Sequence, residues 1–178
     1  MKQLIHAALL VCLVSFSAVR ATAAPESFKV SDLTFKRPAG WEWVETTSKM
    51  RAAQLKVTDA KTKQSGDVIF FYFGAGGGGG VKANVDRWFG QFEEPREKIN
   101  AKTEEATVGK TKVTYVTAEG TYKSGQPGGP FTPMKDHMLL GAIVEANEGS
   151  IFIRLTAPKD LGKASTADFK KMIETALK

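Results

Sequence analysis

The residues most suggestive of chemistry in this 178-residue chain are the glycines of the segment GAGGGGG, which lies between an apolar stretch and an amphipathic one. In such a loop, backbone N–H groups can converge on an anion at a helix N-terminus, where the helix dipole favours negative charge. The candidate binding residues are Gly76, Gly77, Gly78, Gly79 and Gly80, followed on the predicted helix by Lys82 and Arg87.

The glycine run lacks the other parts of a nucleotide-binding signature. A Walker loop needs Gly-Lys-Ser/Thr where the helix begins, whereas Gly80 is followed by Val81 and Lys82. Any glycine run satisfies the dinucleotide-binding spacing Gly-x-Gly-x-x-Gly, and the acidic residue that should follow the next parallel strand is missing. We therefore predict a flexible connector, with anion binding as the alternative, and no cofactor.

A second segment rich in glycine and proline, residues 123–136, is predicted to be a long loop. Outside the first residues of the chain, His137 is the only histidine, and no Gly-x-Ser-x-Gly elbow is present to make it part of a catalytic triad. A zinc site would need three or four ligands, so we expect neither catalysis nor metal binding through this histidine. The binding candidates of this segment are Gly128, Gly129, Lys135 and His137.

The first residues predict a cleavable signal peptide. An apolar run over residues 4–19 precedes small residues that end at Ala23, as signal peptidase requires. The run is shorter than the roughly 20 residues of a membrane-spanning helix. We predict cleavage after Ala23, with Ala24 as the alternative, so that residues 1–23 are removed and residues 24–178 form one periplasmic or secreted domain.

Composition excludes several classes of function for the mature chain. The only cysteine of the full sequence, Cys12, falls in the predicted signal peptide. Disulfides, thiol nucleophiles and thiolate metal sites are therefore not expected in the mature chain. Cleavage also removes Lys2 and Arg20, which lowers the formal net charge of +6 by two. The remaining lysines are scattered, so we expect no nucleic-acid partner and no stable membrane insertion.

Hydrophobic periodicity predicts an α+β domain. Residues 28–36 read as two short strands joined by a tight turn, and residues 67–73 are continuously apolar, as in a central strand covered on both faces. Residues 96–105 are expected to be a surface connection. Further strands are predicted at 51–58, 112–122, 137–146 and 150–157, and amphipathic helices at 81–92 and from Ser165 to the end. The class is a mostly antiparallel sheet of about six strands with two amphipathic helices packed on it.

This order of elements resembles the PsbP-like α/β/α sandwich, named for an extrinsic photosystem II subunit and shared with a nuclear import factor and exported bacterial proteins. The residues that carry the resemblance are the opening LTFKRPAGW from Leu33 to Trp41, the aromatic strand before a helix, and the closing hairpin with its terminal helix. The chain is thus similar to exported PsbP-like bacterial proteins of uncharacterised function. The resemblance implies a binding or assembly module without chemistry of its own.

Two functions remain open from the sequence. The first is a non-enzymatic exported binding module that presents its two glycine-rich loops, expected to meet at one sheet edge, to an unknown protein or small ligand. The second is an anion- or phosphate-handling hydrolase that uses Lys135 and His137 with the loop Gly74–Gly80 at a helix N-terminus.

Overall fold

The structure, a computed structural model, describes residues 24–125 and 129–178. The predicted signal peptide and the candidate Gly128 lie outside these residues. Within the described ranges, no helix is long and apolar enough to cross a membrane.

A seven-stranded antiparallel sheet and a separate two-stranded hairpin form the body of the protein. The strand order across the large sheet is β3-β4-β5-β9-β8-β7-β6. The strands are β1 (Ser27–Val30), β2 (Leu33–Lys36), β3 (Glu42–Trp43), β4 (Ala53–Thr58), β5 (Ser65–Tyr72), β6 (Lys102–Val108), β7 (Thr111–Gly125), β8 (Phe131–Ala146) and β9 (Gly149–Pro158). The predicted α+β class is confirmed, with one strand more in the main sheet than expected and the β1–β2 hairpin beside it.

Two helices cover opposite faces of the sheet. Helix α1 (Val81–Phe89) packs on one face, and α2 (Lys159–Ala176) packs with the β1–β2 hairpin on the other. Strand β5 serves both cores, because Val68 and Phe70 face α2 while Ile69 and Phe71 face α1. This two-sided burial explains why the strand is continuously apolar.

Helix α1 begins and ends at glycines. Gly80 precedes it in an extended conformation, and Gly90 ends it with its N–H bonded to the Asp86 carbonyl. The apolar stripe predicted to reach residue 92 therefore continues beyond the helix, and Phe92 instead bridges to Tyr122 on β7. The contact ties the end of α1 to the long β7–β8 hairpin.

Two predictions of local structure are wrong, and one segment that was left without an assigned structure is now defined. Residues 123–136 are mostly the paired ends of β7 and β8, from Lys123 opposite Pro133 to Gly125 opposite Phe131. The segment expected to be a surface connection contains a short 3-10 turn at Arg96–Lys98 and then the edge strand β6. Helix α2 begins at Lys159 after Pro158, so Ser165 is a buried residue within the helix and not its cap.

Candidate functional site

A cavity of about 420 Å³ opens between α1 and the sheet face formed by β5 and β9. Its volume lies in the usual range for small-molecule sites. The polar lining residues are Ser48, Arg51, Asn84, Arg87, Gln91 and Arg154. The apolar ones are Met50, Ile69, Phe71, Phe73, Trp88 and Phe152, with Gly125 at the hairpin end.

Arg154 is the innermost charged group of this cavity wall. Its Nη1 donates to Gln91 Oε1 at 2.8 Å, and its buried Nε has no hydrogen-bond partner. Its guanidinium also lies 5.9 Å from the ring centre of Phe71 and 6.0 Å from that of Tyr122. Burial lowers the pKa of Arg154 and Arg51 lowers it further, while Tyr122 and Asp67 raise it. The pKa shift thus reports a cation that has lost water without gaining an ion pair.

Two more arginines at the cavity are held in the same way. Arg87 Nη1 donates to Asn84 Oδ1 at 2.8 Å, and Arg51 Nη1 donates to Gln54 Oε1 at 2.6 Å. In the part of the chain that the structure describes, no carboxylate lies within 4.0 Å of a nitrogen of these guanidiniums or of Arg154. The amide oxygens orient the guanidiniums, but they are neutral and form no ion pair with them.

The glycine run borders this cavity through its neighbours. Phe73, which precedes the run, and Asn84, on the first turns of α1, both line the cavity. The Asn84 Nδ2 donates to the carbonyl oxygens of Gly78, Gly79 and Gly80 at 2.8, 3.4 and 3.0 Å. The run is therefore a segment tied to α1 and not the free connector expected. On the side that faces Asn84 it presents carbonyl oxygens, so its role as a phosphate cradle stays a prediction.

Close packing also constrains the run. Gly78 has φ +83°, and a Cβ there would lie 2.5 Å from the Phe152 ring. Gly77 closes a turn by donating its N–H to the Gly74 carbonyl at 3.1 Å. Gly76 is exposed, with open space where a Cβ would lie. Different glycines of the run thus serve different purposes.

The remaining candidates are divided between two ends of the sheet. His137 pairs with Pro158 just before α2, and its Nδ1 lies 2.8 Å from the carbonyl oxygen of Lys135. Gly149, which lies against Gly74 at the glycine run, is at the other end of the β8–β9 ladder, about 30 Å away at about 3.3 Å per residue. The structure therefore does not bring Lys135 and His137 to the glycine run.

Of the other candidates, Lys82 and Gly129 are exposed, and Lys82 pairs with Asp86 at 2.6 Å. Of the predicted binding residues that the structure describes, only Arg87 lines the cavity. Gly125, at the end of the second glycine-rich segment, lines it as well. Each segment thus contributes one residue beside the candidate glycines, Phe73 or Gly125, to the lining of the cavity.

Sequence reasoning named neither Arg154 nor Gln91 as a candidate. The signal for Arg154 was present, because it is the one charged residue in the apolar strand segment IFIRL. A charge inside a buried strand is rare unless it is paired or functional. Its partner Gln91, just past the end of α1, was not foreseeable, because only the fold brings β9 close to that turn.

Metal binding finds no support in the described ranges, where no group of three or more histidine, cysteine, aspartate or glutamate side chains comes together. The cavity wall instead offers hydrogen-bond donors and aromatic surface. Such a wall can bind and orient a ligand, and it contains no nucleophile paired with a base.

Comparison with known proteins identifies a fold and no family by sequence. No family model matches the chain, and no curated protein matches it. Among solved structures it is similar to the solution structure of cyanobacterial PsbP (CyanoP) from Synechocystis sp. PCC 6803. That similarity covers 90% of this chain and 95% of the other at 14% identity, with a TM-score of 0.47. The similarity to this structure is one of fold alone, so the function is argued below from this chain's own residues.

Proposed function

We propose that this chain is an exported binding module without chemistry of its own, and that it takes a small ligand in the cavity beside α1. The domain would be residues 24–178, released outside the cytoplasm after removal of residues 1–23. The observation that carries the proposal is the cavity wall, where exposed aromatic surface adjoins charged side chains that have no ionic partner.

The scaffold around the cavity supports a preformed site. Phe73 is 43% exposed, yet it packs against Phe71 and Phe152 with ring centres 6.3 and 6.1 Å apart. Met50, which also lines the cavity, is 63% exposed. Large apolar side chains that remain exposed around a concave surface are typical of binding sites.

Binding of the neutral fluorescent dye Nile red to the full chain tests this function. We expect saturable binding that weakens when Phe73→Ser removes the exposed aromatic wall. The matched control is Phe131→Ser on the hairpin end, because Phe131 is similarly exposed at 52% but does not line the cavity. Absence of dye binding, or equal loss in both variants, would refute a site for a neutral apolar ligand in this cavity.

A further inference from the structure

We infer that the ligand of this cavity is an organic anion, in which a carboxylate or a similar oxyanion is joined to an apolar body. The inference rests on the proposed function, since it names the chemical class of what the cavity would bind. It comes from the arrangement of three arginines around one aromatic wall.

The three guanidiniums are held by neutral partners. Arg51, Arg87 and Arg154 each use Nη1 on a side-chain amide oxygen, at 2.6, 2.8 and 2.8 Å. Each guanidinium has five N–H donors in a fixed planar arrangement, so donors remain after the amide bond is made. Such amide bonds orient the guanidiniums and add no negative charge to the cavity.

The carboxylates of the neighbouring elements are engaged elsewhere. On α1, Asp86 accepts from Lys82 at 2.6 Å and from Arg96 at 3.2 Å. On β5, Asp67 accepts from Gln54 Nε2 at 3.2 Å and forms no ion pair with Arg154. Asp67 attracts Arg154 without forming an ion pair with it, so the three arginines keep a net positive charge in the cavity for a ligand.

Of the three arginines, Arg154 gives the strongest reason to expect an anionic ligand. A guanidinium that is largely desolvated, with an unpartnered Nε, is costly in the empty protein. A bound oxyanion would offset that cost through charge-assisted hydrogen bonds, which are stronger than bonds to neutral acceptors. The direction of the Arg154 pKa shift agrees, because burial of the guanidinium lowers its pKa.

The apolar residues that line the cavity account for the apolar body of the ligand. Phe73 and Met50 are exposed at the rim, and Phe71 and Phe152 continue the apolar surface inward. Free phosphate would leave this apolar surface in contact with water. An anion with an aromatic or acyl portion would contact both the arginines and the apolar side chains.

Isothermal titration of the full chain with naphthoate and with naphthylmethanol tests the inference, because the two compounds share a ring system and differ in charge. We expect naphthoate to bind roughly tenfold more tightly or better, which is the effect of about one charge-assisted hydrogen bond. Inorganic phosphate is the third ligand and should bind more weakly than naphthoate, since it lacks the apolar body.

Three variants locate the preference for charge. Arg154→Met should reduce the ratio of the two affinities about tenfold, and Arg87→Gln should reduce it several-fold. Lys82→Gln is the matched control, since it removes the same charge from the same helix at a residue outside the cavity lining. Thermal melting checks that each variant is folded, and the exposed Arg87 position decides the result if Arg154→Met does not fold.

The outcomes separate this inference from the proposed function. Equal affinity for the two naphthalene compounds, or no naphthoate binding, overturns the anion inference even if Nile red binds through Phe73. A preference that survives both arginine changes, or that Lys82→Gln removes, also overturns it and would place the anion at the glycine run. Failure of Nile red to bind, with naphthoate still bound through Arg154, would reject only the broader apolar site.

Discussion

At the scale of single residues, the acidic residue of α1 pairs with cations outside the cavity, whereas Arg87 lines the cavity. Lys82 and Arg96 both contact Asp86, whose pKa is lowered chiefly by the hydrogen bond from Lys82. Arg87 is thereby left without an acidic partner and bonds to Asn84 instead. The acidic residue of the helix is thus neutralised away from the cavity, and the cavity keeps its positive charge.

Glu94 shows how a carboxylate is used structurally in the same region. Both of its carboxylate oxygens accept the Thr121 N–H, at 3.0 and 2.8 Å, at the irregularity of β7 between Gly120 and Tyr122. Hydrogen bonds from Thr121 lower the pKa of Glu94 below its ordinary value of 4.5. The stabilisation is therefore complete above that pH and is lost as the pH falls through the lower pKa of the folded state.

We predict that Glu94→Gln lowers the free energy of unfolding near neutral pH and flattens its decline in acid. Urea unfolding at a series of pH values between about 2 and 6 measures this difference. Glu93→Gln is the control, because it removes the same charge at an exposed neighbouring residue and should keep the wild-type slope. An unchanged acid slope in Glu94→Gln would contradict the assignment.

At the scale of elements, the local pattern of apolar residues predicted the structure where each strand carries its own apolar signal. The β1–β2 hairpin, β5 and the β8–β9 hairpin were foreseen for this reason. Pairing partners decided the other cases. Pro133 lies in a strand because it faces Lys123 across a hairpin, and the charged β6 is a strand because it pairs with β7 at the edge of the sheet. Neither pairing leaves a periodic apolar signal in its own segment.

The candidate site was predictable only in its local part. Arg87 was named because it lies on the helix that directly follows the glycine run. Arg154 and Gln91 meet across 63 positions of sequence, through a register that sets Arg154 opposite Gly141 and Ile69. Spacing along one chain carries no information about that register, so the centre of the site appeared only with the fold.

Gly141 makes the close approach of α1 to the sheet possible. The Trp88 ring lies where a Cβ at Gly141 would be, so any side chain there would have to displace the ring. We predict that Gly141→Ala destabilises the protein by about 1–3 kcal/mol, as measured by urea unfolding, because overpacking strains a dense core.

A double-mutant cycle checks the cause of that loss. In a Trp88→Leu background, where the ring is gone, Gly141→Ala should cost clearly less than in the wild type. Equal costs in the two backgrounds would mean that the ring contact is not the source of the destabilisation.

At the scale of the whole molecule, the cavity exists because the two faces of the sheet are covered unequally. Helix α2 has 18 residues, which is about 27 Å of helix, and the β1–β2 hairpin covers more of the same face. Helix α1 has nine residues, which is about 14 Å, against a seven-stranded sheet about 29 Å wide. A short helix leaves part of its face open, and the three arginines and Phe73 lie in that opening.

Export of the whole molecule gives a last prediction. The first described strand begins at Ser27, so cleavage after Ala23 would leave every described strand whole. Expressed in a Gram-negative bacterium, the wild-type chain should be found in the periplasmic extract with the mass of residues 24–178, as measured by intact mass spectrometry. Ala23→Phe should retain residues 1–23, because signal peptidase requires a small residue before the cut, whereas Ala24→Ser should be processed normally. Wild-type chain of full mass in the cytoplasmic fraction would contradict both the signal peptide and the exported function.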